Sequence, residues 1–116
     1  MTAAEAEAEL ELVKEAYGRI RVKAVITTHS HADHCGGNKR LKELTGCQIW
    51  ATKGEAAMME LPQLQSSLVY GGSPLQEIAS PYLMAEACPV DRILPTDELI
   101  LLEEGLSIQA LSLPGH

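Results

Sequence analysis

Three histidines and one aspartate fall within six residues of this 116-residue chain: His29, His31, Asp33 and His34, in the stretch Thr27 to Gly37, TTHSHADHCGG. The only other histidine is the last residue, His116. Imidazole nitrogen and carboxylate oxygen together suit zinc, or iron or manganese, better than calcium or magnesium. In an extended segment residues i and i+2 point to the same side, so His29 and His31 can offer their rings to one cation. Asp33 follows on that side while the chain stays extended. His34 breaks the alternation, which suits a second cation a few ångström away.

Such side chains need a rigid base. The apolar residues Val22, Val25 and Ile26 predict a buried strand over Arg21 to Thr28 that delivers the histidines into a loop. Gly36 and Gly37 would let the backbone turn tightly beside the site and start a helix. That helix is expected over Gly37 to Leu44, with Lys39, Arg40 and Lys42 outward, Leu41 and Leu44 inward, and Gly46 as its stop. Cys47 to Thr52 alternates as a strand, with Trp50 in the core. Upstream, Ala3 to Glu11 alternates Ala and Glu, strong helix formers and poor strand formers. A helix from Ala3 to Tyr17 places Ala6, Leu10, Val13 and Tyr17 on one face and ends at Gly18.

Downstream, Glu55 to Leu61 predicts a short helix whose Met58 and Met59 fill core gaps and which Pro62 ends. Gly71 to Pro74 reads as a loop, and Leu75 to Ala87 as a helix broken near Pro81. Leu99 to Leu102 and Leu106 to Leu113 predict a β-hairpin about Glu103-Glu104-Gly105, with His116 just past its exit.

HSHADH followed by Gly-Gly resembles the HxHxDH signature of the metallo-β-lactamase superfamily, mostly zinc-dependent hydrolases with some iron-dependent oxygenases. Leu113-Pro114-Gly115-His116 resembles that family's next landmark, a PGH tripeptide. The lead-in through Val90 to Leu94, Leu99 to Leu102 and Gly105 to Ile108 is also similar, so the resemblance covers the chain from about Val22 onward. It implies an α/β fold, a four-layer αββα sandwich of which about one half is encoded here. Residues 1–116 would then be a single incomplete domain, without the N-terminal strands and the C-terminal half.

The resemblance also implies roles. His29, His31 and His116 would form a first metal site, three imidazoles with an open position for water. Asp33 and His34 would belong to a second, and Asp33 would orient or deprotonate the nucleophile. The implied cofactor is zinc, one or two ions, with iron or manganese as the alternatives. The implied reaction is hydrolysis of a small ester, thioester or amide by metal-activated water. The contrasting expectation is a catalytically incomplete remnant that serves as a binding or oligomerisation module.

Composition narrows the partners. A net charge of −7 lacks the basic footprint of nucleic-acid binding. No basic leader or apolar run of bilayer length is present, so neither secretion nor a membrane is expected. Cys35, Cys47 and Cys88 are odd in number and form no CxxC pair, which favours free thiols in a reducing cytoplasm. Cys35 beside His34 reads as a small packing residue rather than a ligand. The expected partners are a small-molecule substrate and a second copy meeting an exposed sheet.

Overall fold

The apolar run ahead of the histidines forms the first strand of a parallel sheet in the computed structural model, which describes residues 1–72, 75–76, 80 and 83–114. Strand β1 (Ala24–Ile26) pairs in parallel with β2 (Gln48–Thr52), Val25 opposite Ile49 and Ile26 opposite Trp50. On its other edge β2 pairs in parallel with β3 (Arg92–Leu94), Trp50 opposite Arg92. Alternation along this segment separates two faces. Cys47, Ile49 and Ala51 are buried in one cluster with Cys35, Ala56, Met59 and Cys88, and Val25 and Leu41 pack against it.

Helices supply the rest of that core: α2 (Ala32–Cys35), α3 (Asn38–Thr45) and α4 (Lys53–Glu60). The opposite face carries Ile26, 43% exposed, and Trp50, half-buried with the Arg92 guanidinium 4.6 Å from its ring. Trp50 is therefore not a core residue as its sequence suggests; it is held by a cation–π contact on the open face. Parallel sheets are ordinarily covered on both faces, and among the described residues this one has its helical cover on one.

Helix α1 (Ala3–Tyr17) has the expected bounds. Its start is a capping box: Glu5 N–H donates to Thr2 Oγ1 at 3.3 Å and Thr2 N–H to the Glu5 carboxylate at 2.6 Å. It packs on α3 with Ala6 and Leu10 buried, but Val13 and Tyr17 are exposed, so only the first half of the expected face is used. Leu44, expected inside, is also exposed, while Leu41 packs inward.

Gly36 and Gly37 have right-handed helical backbones that other residues adopt readily. Their smallness matters instead. A Cβ on Gly36 would lie 2.6 Å from the Met1 carbonyl oxygen, and one on Gly37 would lie 2.6 Å from Ala6 Cβ. The glycine pair admits the start of α1 against the histidine loop.

α4 ends at Glu60, before Pro62 as expected, and Pro62 also opens a further helix, α5 (Pro62–Tyr70). Its missing N–H is harmless at a first helical position, and Leu61 before it is non-helical at φ −128°, ψ 77°. Ser73, Pro74 and Pro81 lie outside the described residues. Residues 75, 76, 80 and 83–87 are not helical, so the helix expected there is absent where the chain is described. Strands β4 (Leu99–Glu103) and β5 (Leu106–Gln109) form the hairpin, with Gly105 at φ 78° in its turn. β5 stops short of Leu113 because β4 begins at Leu99 opposite Gln109 and gives no further ladder. Lys23 Nζ donates to Glu103 Oε1 at 2.5 Å, joining the hairpin to the approach to β1. No helix among the described residues is long and apolar enough to cross a membrane.

Asp91 ties three of these elements together. Its carboxylate accepts from Lys42 Nζ on α3 at 2.7 and 2.8 Å and from Ile49 N–H on β2 at 2.8 Å, and its own N–H donates to Ile49 O at 2.8 Å. The Lys42 ammonium, and then the Ile49 N–H, hold this carboxyl below its ordinary value. A depressed carboxyl stabilises the fold above its unfolded pKa of about 3.9 and loses that contribution as pH falls through the lower folded value. Asp91→Ala should lower stability by about 1–2 kcal/mol at neutral pH and flatten the acid limb of the stability–pH curve, read by chemical denaturation between pH 7 and 2.

Candidate functional site

The histidine loop begins where β1 runs out of sheet. Thr27 N–H still donates to Trp50 O at 2.9 Å, one step past the strand. The buried Thr27 hydroxyl accepts from the buried Asn38 Nδ2 at 2.6 Å, which joins the strand end to the first residue of α3. Between these anchors Ser30 is held from three directions. Its N–H donates to the Glu55 carboxylate at 2.7 Å, its hydroxyl to Met58 Sδ at 3.3 Å, and its carbonyl accepts from Cys35 Sγ at 3.4 Å. Ser30 is buried, and the flanking His29 and His31 are half-buried.

His31 is the cap of α2, its carbonyl accepting from His34 N–H at 2.9 Å and Cys35 N–H at 3.0 Å. The chain therefore turns helical at Ala32, and Asp33 is not carried to the His29 side by strand alternation. The turn instead brings His34 back toward His29. The His29 and His34 ring centroids are 4.0 Å apart, and those of His29 and His31 are 5.0 Å apart at 82°. Thr28 Oγ1 lies 3.0 Å from His29 Nδ1, and Asp33 Oδ2 lies 3.5 Å from His34 Nε2. Asp33 and His34 are exposed.

Three of the four clustered residues are thus brought together through their rings, and Asp33 joins through His34. His116 lies outside the described residues. Among the described residues no group of three His, Cys, Asp or Glu side chains is arranged to hold a metal ion. The donor chemistry, imidazoles in mutual contact with a carboxylate beside them, still fits a borderline cation such as zinc. Cys35 is buried and its thiol is pushed up to about 11, first of all by desolvation. It stays a neutral thiol at physiological pH, and its packing role holds.

His29 and His31 line a cleft of about 1050 Å³. Ile26, Thr52 and Leu94 from the open sheet face form its floor, Met58 and Leu68 one wall, and the strand β5 with the segment after it the other. Met58, expected as a core filler, is half-buried at this wall; Met59 is the one that fills the core. Glu55 is the residue the sequence reading missed. Thr52 and Glu55 have the T-x-x-E spacing of a capping box, a signal that marks the carboxylate but assigns it to its own helix. Thr52 makes no such cap, and Glu55 reaches across to Ser30.

The family model of the metallo-beta-lactamase superfamily matches residues 1–116. The chain belongs to the metallo-beta-lactamase superfamily. Among curated superfamily relatives, the hydroxyacylglutathione hydrolase GloC of Haemophilus influenzae is 28% identical over 114 residues, 97% of this chain and 47% of that protein. The hydroxyacylglutathione hydrolase of Hyphomonas neptunium is 49% identical over 35 residues, 30% of this chain and 14% of that protein. Among solved structures, BJP-1, a subclass B3 metallo-beta-lactamase of Bradyrhizobium japonicum, matches with a TM-score of 0.75 at 22% identity. That match covers 99% of this chain and 40% of BJP-1. The chain thus spans about half or less of the length of these superfamily proteins, and its α/β architecture is part of the metallo-beta-lactamase fold.

Proposed function

We propose that this chain is a metal-dependent hydrolase of a small ester, thioester or amide. The observation that carries the reading is the packing of the His29, His31 and His34 rings, of which His29 and His31 line a cleft large enough for a small acyl substrate. His29 and His31, completed by His116, would hold a first zinc ion, and Asp33 and His34 would contribute to a second; iron or manganese suits the same donors. When bound, the metal lowers the pKa of its water toward neutrality and polarises the substrate carbonyl. Asp33 orients or takes the proton of the attacking water, and its contact with His34 holds it beside the cluster.

The cleft's aliphatic floor and wall receive the rest of the acyl compound. The relatives' names point to a hydroxyacyl thioester as the first substrate to try. The described part of the cleft has no Lys or Arg in its lining, and with a net charge of −7 this favours an uncharged acyl portion over a nucleic-acid phosphate. Three buried free thiols support a reducing, cytoplasmic setting. The zinc-supplemented chain should hydrolyse a hydroxyacyl thioester, a chelator should abolish the rate, and Asp33→Asn should lower kcat about 10²- to 10⁴-fold. Hydrolysis indifferent to both, or no hydrolysis of any thioester, ester or amide, would overturn the reading.

A second reading, self-association, is favoured by the leucines of the hairpin region. Leu99 is 75% exposed, Leu101 69% and Leu113 83%. Sedimentation should then show a concentration-dependent dimer that Leu99→Ser/Leu101→Ser converts to monomer; a monomer throughout the micromolar range removes this reading.

A further inference from the structure

Gln65, on α5, is only 7% exposed, yet its carboxamide makes no hydrogen bond to any described residue. Among the described residues no fully enclosed side-chain nitrogen or oxygen lacks a partner, so this carboxamide opens into free space rather than into packed protein. That space adjoins the histidines. Gln65 lines the main cleft with His29 and His31, and also a smaller pocket of about 90 Å³ shared with His31 and Asp33. Gln65 and His31 are both in the lining of each of these two spaces.

A carboxamide offers one acceptor and two donors. Its full complement is a second amide, whose C=O takes an N–H of Gln65 and whose N–H is taken by the Gln65 oxygen. An ester or a carboxylate accepts only and offers the Gln65 oxygen no donor. Glu55, the acid in the cleft lining, is already engaged with the Ser30 N–H, and no Lys or Arg is there to favour an anion. We propose that Gln65 is a specificity-determining residue that pairs with a neutral secondary amide carried by the acyl substrate next to its scissile carbonyl. The inference rests on the hydrolase reading for the meaning of "substrate", but binding of the amide needs no metal.

The test is therefore made on the metal-free, ¹⁵N-labelled chain by nuclear magnetic resonance, so that it stands or falls apart from zinc binding and turnover. The probes are N-acetylglycine N-methylamide and its ester isostere, methyl acetoxyacetate. The diamide should move the Gln65 side-chain NH₂ signals saturably, and Gln65→Met should weaken its binding about five- to tenfold while binding the ester isostere as the native chain does. An unchanged diamide Kd in Gln65→Met, or Gln65 signals that stay fixed up to the probe's solubility limit, overturns the proposal. Circular dichroism melting establishes that the variant is folded; if it is not, the native side-chain signals alone decide.

Discussion

A loop that leaves the end of a buried strand must find partners for its backbone outside the sheet, and the way this chain meets that requirement positions everything else. Ser30 cannot turn to solvent without uncovering the core, and its N–H has no strand to pair with. The Glu55 carboxylate takes that N–H at 2.7 Å, and a charged acceptor makes this a stronger bond than a neutral one. With Ser30 held against α4, the residues on either side of it, His29 and His31, are fixed in the lining of the same cleft. The placing of the histidine loop thus depends on where an acidic side chain of α4 meets one backbone amide.

The same logic runs outward. Asn38 fixes the strand end to α3 through Thr27, and the glycine pair lets the start of α1 close over the loop from the other side. Asp91 holds β3 to β2 and α3, which sets the sheet edge against which the hairpin region forms the cleft wall. The helices and their core lie on one side of the three-stranded sheet. Its other side gives Ile26, Thr52 and Leu94 to the cleft and carries the Trp50–Arg92 pair, and the chain aligns with about two fifths of BJP-1.

Local chemistry was legible in the sequence and burial was not. α1 was readable to its bounds because Ala and Glu propensity and a terminal glycine agree. The strand before the histidines was readable in kind but not in length, since β1 is limited to the residues that β2 can pair. Trp50, Met58 and Leu44 were placed inside because they are apolar, whereas which face receives a neighbour is decided by tertiary packing. Pro62 marks the end of α4 as its sequence suggests, but the same residue also starts α5, which proline chemistry alone does not distinguish. Of the candidate site, the residue types and the strand-end location were plain. What was not readable was the helical turn at Ala32, which brings His34 rather than Asp33 to His29, or the long-range role of Glu55, since nothing local distinguishes a capping carboxylate from one that crosses to another loop.

In the proposed hydrolase this loop makes His29 and His31 joint ligands of one ion. The most direct measurement is calorimetric titration of zinc into the metal-free chain, repeated with His31→Ala and with His116→Ala. The account predicts about one tightly bound zinc, lost in both variants. Zinc uptake that is absent, or that persists unchanged in both variants, would contradict it.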